Sequence, residues 1–127
     1  MCRPDVFHAA IAGAPVTEWR LYDTHYTERY AGHPETDPEP YRVSNVLTYA
    51  DRLERPLLII HGTADDNVYF VHGLKIANAL FAAGKDFDFL PLSNQTHMVR
   101  APEVVIPLWT KVVDYFEEHL GGPERAD

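Results

Sequence analysis

The chain has 127 residues, which corresponds to one domain or to part of one. Its 19 acidic side chains outnumber its 11 basic ones and give a formal net charge of −8. This excess of negative charge argues against nucleic acid and against an anionic membrane as partners. The apolar runs are far shorter than the roughly 20 residues that a membrane helix requires. The first residues lack the apolar core of a secretory signal, so a cytoplasmic location is slightly favoured.

The first third of the chain predicts one strand followed by one helix. Residues 6–16 form a β-compatible run that Gly13 and Pro15 interrupt, which indicates a short buried strand. Thr17 is a possible helix cap, and the helix that it would open ends at a Gly-His-Pro stop signal. Residues 33–41 contain three prolines and three acids and predict a surface loop.

The rest of the chain continues the alternation of helix and strand. A short helix is predicted to begin at Ser44 and to end before Pro56, and residues 56–62 form an apolar run typical of a strand covered on both faces. The later predicted elements are a helix within 67–84, a strand within 85–92, a loop and a closing helix at 102–120. This order predicts an α/β fold with a parallel sheet of about three strands. Because so small a parallel sheet leaves an exposed edge, the chain is expected to be the second half of a larger domain.

Polar side chains follow two of the predicted strands. Asp65, Asp66 and Asn67 come just after the strand at 56–62, and His97 lies in the loop after the next strand. Adjacent parallel strands bring such loops to one rim of the sheet, so an acid and a histidine are expected to meet there. Their order is that of the Ser-His-Asp triad in α/β-hydrolases, in which the carboxylate orients the imidazole that acts as the base. A solvated turn beside an unrelated loop histidine is the alternative, and the pattern alone leaves both open.

Three stretches of sequence carry a more specific resemblance. They are W-x-x-Y-D-x-x-Y-T-E-R-Y at 19–30, H-G-x-x-D-x-N-V at 61–68 and NQTH at 94–97. Together they resemble the C-terminal part of the catalytic domain of the prolyl oligopeptidase family, and within it the dipeptidyl peptidase IV group. The resemblance covers most of residues 8–120. It implies the C-terminal half of an α/β-hydrolase fold over residues 1–120, with about three parallel strands and flanking helices. Residues 121–127 are expected to form a polar tail after it.

The resemblance also implies roles for eight residues. Asp65 matches the triad acid, His97 the general base, and Asn67 the asparagine that hydrogen-bonds a substrate carbonyl. Five further residues match the walls of the small apolar pocket that takes the proline ring in the family: Val16, Trp19, Tyr22, Tyr26 and Val68. Flat aromatic walls suit proline, because its rigid ring is buried at little entropic cost. Trp19, Tyr22 and Tyr26 are spaced by three and four residues, so they are expected to share one face of the predicted helix, and an ordinary core-facing stripe is the alternative for them.

The sequence departs from the family pattern at the nucleophile. No serine stands in a G-x-S-x-G elbow, since Ser44 precedes a predicted helix and Ser93 lies in the histidine loop. The nucleophile is therefore expected to precede Met1, and the chain is expected to be an inactive fragment of a serine-type peptidase that releases N-terminal X-Pro or X-Ala dipeptides. Two alternatives stay open: an acylaminoacyl-peptidase or esterase relative with a different pocket, and a non-catalytic dimerisation or pseudo-enzyme module.

No cofactor is expected for this chemistry. His61, Asp65 and His72 could form a metal site on paper, but the sequence has no ligand-dense motif of the zinc type. His61 is instead expected to end its strand and to hydrogen-bond a nearby loop. The expected partners are a peptide substrate and, as the resemblance implies, a second copy that pairs through the C-terminal helices of the parent enzyme.

Overall fold

The computed structural model describes residues 2–121, which form a three-stranded parallel sheet with flanking helices. The strands, in the spatial order β1-β2-β3, are β1 (Ala10–Gly13), β2 (Leu57–Gly62) and β3 (Asp88–Leu92). Ala10 pairs with Leu57 in one ladder, and Gly62 pairs with Leu92 in the other. All six residues of the central strand β2 are buried, as its unbroken apolar run predicts.

Four α-helices and two 3₁₀ helices surround the sheet in the described part of the chain. They are α1 (Thr24–Ala31), α2 (Pro38–Ser44), α3 (Val71–Ala82) and α4 (Pro102–Leu120), with 3₁₀ helices at Trp19–Leu21 and Val46–Arg52. The predicted helices within 67–84 and at 102–120 are confirmed, and Pro102 occupies the first turn of α4. None of the described helices is long and apolar enough to cross a membrane. Residues 122–127 of the predicted polar tail lie outside the described residues.

The predicted helix cap at Thr17 is wrong. Helix α1 begins seven residues later, where the Asp23 carboxylate accepts hydrogen bonds from the N–H groups of His25 and Tyr26. Aspartate is the stronger capping residue, and Thr17 is buried with its hydroxyl bonded elsewhere. The single helix expected after β1 is therefore divided into a 3₁₀ turn, an extended residue and α1.

The predicted loop at 33–41 and the helix start at Ser44 are also wrong in part. Helix α2 begins at Pro38, where the fixed φ of proline suits the first helical position, and it ends at Ser44. The following 3₁₀ helix is capped by Asn45, whose side chain accepts a hydrogen bond from the N–H of Leu47. A proline-rich acidic stretch thus forms a helix start as well as a loop.

Two apolar clusters cover the two faces of the sheet. Ile59 of β2 packs with Ile76 and Leu80 of α3, while Leu58 packs with Tyr115 of α4. Successive side chains of a strand point to opposite faces, so an uninterrupted apolar run supplies both clusters. Because β2 is held from both faces, the residues that follow Gly62 leave the sheet at a well-defined rim.

Candidate active site

The loops that follow β2 and β3 are joined to each other by hydrogen bonds. The Thr63 N–H donates to the Leu92 carbonyl (3.0 Å), the Ala64 N–H donates to the Gln95 carbonyl (3.1 Å), and the Asn94 N–H donates to Thr63 Oγ1 (2.9 Å). Asn94 has a left-handed φ of 57°, a conformation that asparagine tolerates better than most residues. The two loops therefore behave as one unit at the rim of the sheet.

Gly62 permits the close approach of these loops. A Cβ at this position would lie 2.2 Å from the Gln95 carbonyl oxygen and 3.0 Å from the Thr96 carbonyl oxygen. Both obstacles belong to the backbone, which cannot turn aside as a flexible side chain can. Only glycine allows the loop that ends at His97 to pass this close to the end of β2.

The rim brings Asp65 and His97 together, as the strand order predicts. His97 Nδ1 lies 2.9 Å from Asp65 Oδ2, in a side-chain hydrogen bond. The other carboxylate oxygen, Oδ1, accepts the backbone N–H groups of Asn67 (3.0 Å) and Val68 (2.9 Å). Asp65 is 5% exposed, whereas the imidazole of His97 is about one third exposed. The acid is thus buried and oriented, and the histidine remains open on its outer side.

These contacts keep Asp65 ionised. Burial by itself raises the pKa of this carboxyl, but the hydrogen bonds from His97, Asn67 and Val68 outweigh burial and place the pKa below its ordinary value of 3.8. A charged carboxylate can only accept, so His97 Nδ1 carries the hydrogen in this pair. The second imidazole nitrogen, Nε2, is then the one available to take a proton.

His61 closes the turn that carries the acid. Its Nε2 hydrogen-bonds the Val68 carbonyl oxygen at 2.8 Å and lies 3.5 Å from Asp65 Oδ2, and its side chain is fully buried. The predicted loop contact of this histidine is confirmed. Among the described residues, no group of three or more His, Cys, Asp or Glu side chains is placed to hold a metal ion.

Three aromatic rings predicted to line a pocket contact one another. The ring centroids of Trp19, Tyr22 and Tyr26 lie 5.6 to 6.0 Å apart, with Trp19 stacked on Tyr26 and Tyr22 edge-on to both. The predicted single helical face is wrong, because Tyr22 is extended and separates the 3₁₀ turn from α1. The cluster is assembled by contacts among its rings instead.

The cluster of Trp19, Tyr22 and Tyr26 meets the turn that carries Asp65 at Asn67. Tyr22 Oη donates a hydrogen bond to Asn67 Oδ1 at 2.9 Å, while the Asn67 backbone N–H donates to Asp65. Around this contact lies a hollow of about 470 Å³. It is lined by Leu21, Tyr22, Asp23, Thr24, Asp66, Asn67 and Tyr69.

The other predicted pocket residues do not share this hollow. Trp19 and Tyr26 line a separate, more apolar hollow of about 250 Å³, beside Tyr30 and Pro40. Val16 is half-buried and Val68 is 4% exposed, and neither lines either hollow. The structure therefore brings the three aromatic residues into contact, but neither hollow contains all five predicted pocket residues.

Several residues that shape the site have no strong signal in the sequence. Gly62 and Asn94 could have been noticed, since glycine at a strand end and asparagine in a loop are typical of unusual backbone geometry. Thr63 and His72 carry no such pattern, because their importance depends on partners about 30 and 55 residues away in the chain.

A parallel sheet with an acid and a histidine at the C-terminal ends of adjacent strands is the arrangement of α/β-hydrolases. The chain belongs to the prolyl oligopeptidase family, whose model matches residues 1–123. The predicted family and the predicted fold class are both confirmed.

The similar proteins include dipeptidyl peptidases. Dipeptidyl peptidase 8 of Homo sapiens is 40% identical over 124 residues, which are 95% of this chain and 14% of that protein. Dipeptidyl peptidase 4 of Sus scrofa is 43% identical over 121 residues, which are 93% of this chain and 16% of that protein. The crystal structure of Porphyromonas gingivalis dipeptidyl peptidase 4 superposes with a TM-score of 0.86 at 34% identity, and covers 89% of this chain and 16% of that one. The chain thus spans 14 to 16% of the length of these relatives.

Proposed function

We propose that this chain supplies the acid and the base of a serine-type peptidase site that releases N-terminal X-Pro or X-Ala dipeptides. The hydrogen bond of 2.9 Å between His97 Nδ1 and the buried side chain of Asp65 is the observation that carries the proposal. The sequence contains no G-x-S-x-G elbow, so the nucleophile would be a serine outside these 127 residues.

In the proposed reaction, His97 acts through the nitrogen that faces away from Asp65. Nε2 takes the proton from the serine hydroxyl as its oxygen attacks the scissile carbonyl carbon, and Asp65 stabilises the imidazolium that forms. The carbon–nitrogen bond then breaks, and His97 returns the proton to the leaving amine. Water hydrolyses the acyl-enzyme in the second half of the cycle, with His97 again accepting and returning a proton.

Asn67 connects the proposed substrate-binding residues to this pair, through its backbone to Asp65 and its side chain to Tyr22. Asn67 can donate through its side-chain N–H₂ to a substrate carbonyl, because its side-chain oxygen is already occupied by Tyr22 Oη. The rings of Trp19, Tyr22 and Tyr26 offer flat apolar surface for a proline ring, and Tyr26 is half exposed. Val16 and Val68 are proposed as further wall residues on the resemblance alone.

A graft tests the proposal directly. The segment of human dipeptidyl peptidase 8 that matches this chain would be replaced by the 127 residues, and hydrolysis of a Gly-Pro reporter would be measured. In the active graft, Asp65→Asn and His97→Ala are each expected to lower kcat by about 10⁴-fold, as loss of the orienting acid does in Ser-His-Asp enzymes. Asp51→Asn, the same change at an exposed acid that lines neither hollow, is the matched control and is expected to have little effect.

Two outcomes would contradict the proposal. One is a graft that folds and prefers an acetyl-amino-acid reporter to Gly-Pro, which would favour the acylaminoacyl-peptidase alternative. The other is Gly-Pro turnover by the purified 127-residue chain alone, for which we expect no rate above a buffer blank.

We also propose that α4 pairs with a second copy of the chain. Ile106, Trp109 and Val113 are 67%, 62% and 50% exposed and are spaced by three and four residues, so they form one apolar stripe on the helix. Such a stripe on a surface favours a protein contact.

Trp109→Glu is expected to shift the chain from dimer to monomer in analytical ultracentrifugation. Lys111→Glu, which places the same charge on the opposite side of the helix, should leave the dimer intact; a monomeric wild type would contradict this proposal.

A further inference from the structure

A buried histidine outside the proposed acid-base pair connects residues 17–22, here called the aromatic segment, to α3. His72 lies in the first turn of α3 and is 0% exposed. Its Nδ1 accepts the backbone N–H of Thr17 at 3.2 Å, and its Nε2 lies 3.4 Å from the carbonyl oxygen of Leu21. The Thr17 hydroxyl donates to the His72 carbonyl at 3.1 Å. Thr17 is itself 1% exposed, so water is excluded from these contacts.

The partners of the ring require one tautomer. Nδ1 faces an N–H donor and must be unprotonated, whereas Nε2 faces a carbonyl and must carry the hydrogen. The neutral Nε2–H form satisfies both contacts. An imidazolium would set two N–H groups against each other at Thr17, and its Nδ1–H could reach only the Thr17 hydroxyl oxygen, at 3.3 Å.

The charges around the ring agree with a neutral histidine. Burial lowers the pKa of His72 below its ordinary value of 6.5. His61 and Lys75 act in the same direction, while Glu18 and the Leu21 carbonyl act in the opposite one. Glu18 and Lys75 form an ion pair of their own, which joins the aromatic segment to α3 a second time.

The contacts of His72 bracket the residues that carry the proposed substrate pocket. Trp19 lies between the two points at which the segment is held, and Tyr22 follows the second point directly. We propose that His72 is a positioning residue, which holds residues 17–22 against α3 through its Nε2–H tautomer and thereby sets where Tyr22 meets Asn67. The effect on substrate binding rests on the proposed function, but the positioning itself does not.

Two substitutions separate the two contacts of the ring. In His72→Asn the side-chain oxygen keeps an acceptor near the place of Nδ1, and the contact with Leu21 is lost. In His72→Gln the longer amide can still donate to Leu21, and the acceptor for Thr17 is lost. Amide hydrogen exchange of the full 127-residue chain would be followed at Thr17, with Ile76 in the middle of α3 as the reference. We expect His72→Gln to exchange about fivefold faster at Thr17, and His72→Asn to exchange there as the wild type does.

The wild-type chain provides a test that needs no variant. Long-range proton–nitrogen spectra of the imidazoles are expected to show His72 as the neutral Nε2–H tautomer at neutral pH. On acidification, Thr17 should lose its protection with the midpoint at which His72 is protonated, while Ile76 stays protected. Three results would overturn the proposal. The first is the opposite tautomer of His72, and the second is amide protection at Thr17 that does not change when His72 is protonated. The third is a simultaneous loss of amide protection at Thr17 and Ile76, which indicates a merely structural role. No substrate is used, so failure here is distinct from failure of the grafted enzyme.

Discussion

Replacing Gly62 by alanine is expected to disturb the fold and the contact between Asp65 and His97 together. The added Cβ would lie 2.2 Å from the Gln95 carbonyl oxygen, whereas ordinary van der Waals contact begins at 3.4 Å, so that oxygen must retreat by about 1.2 Å. Gln95 is held by the Ala64 N–H and lies two residues before His97. The movement that relieves the clash therefore displaces the loop that carries the histidine.

The cost follows from the nature of the obstacle. Overpacking a close-packed site typically costs about 1–3 kcal/mol, and a backbone obstacle favours the upper half of that range. Urea denaturation of the 127-residue chain should show Gly62→Ala to be less stable than the wild type by about 2–3 kcal/mol. In a grafted enzyme, a displacement of about 1 Å at the base is expected to lower activity by about 100-fold.

Gly13→Ala is the matched control, because a Cβ on Gly13 meets no atom within 4 Å. This variant should stay within about 0.5 kcal/mol of the wild type. Equal stability of the two alanine variants, together with an unchanged imidazole resonance of His97, would refute the reasoning from the close approach of the loops.

Three further predictions concern single side chains. The pKa of Asp65 is lower in the fold than its ordinary 3.8, so the stability that its charge provides is present above pH 3.8 and is lost as the pH falls through the folded pKa. The urea midpoints of wild type and Asp65→Asn should therefore differ at neutral pH and converge in acid. A difference in midpoint that stays constant with pH would contradict this prediction. Tyr22→Phe removes the 2.9 Å bond to Asn67 and should cost about 0.5–1.5 kcal/mol in the same assay, unlike Tyr30→Phe at a largely exposed ring. Burial, with nearby carboxylates, raises the pKa of Tyr115 from 10.0 to about 12, so stability should fall across that range of pH and Tyr115→Phe should abolish the fall.

The sheet and the proposed acid-base pair could be predicted because their signals are local. The apolar run of β2 needs no knowledge of its neighbours, and the strand order brings the loops of Asp65 and His97 to one rim, where the resemblance to the family singles out these two residues. The segment between β1 and β2 could not be predicted in the same way. Its conformation depends on which of several capping residues finds its partner: Asp23 caps α1, whereas Thr17 is occupied by His72. Such a competition is decided by tertiary contacts that a local pattern does not contain.

The two halves of the candidate site are held in place by different kinds of contact. The relative position of Asp65 and His97 is set by the register of β2 and β3 and by backbone hydrogen bonds between their loops, so a substitution of a surface side chain hardly affects it. The aromatic segment is held largely by side chains, above all His72 and the ion pair of Glu18 with Lys75, together with one backbone hydrogen bond from the Val46 N–H to the Thr17 carbonyl. The two halves are linked at Asn67, through its backbone on one side and its amide on the other. Substitutions in the aromatic segment should therefore change which substrate binds while the geometry of the base is preserved. Substitutions in the hydrogen-bonded loops after β2 and β3 should instead affect every substrate alike.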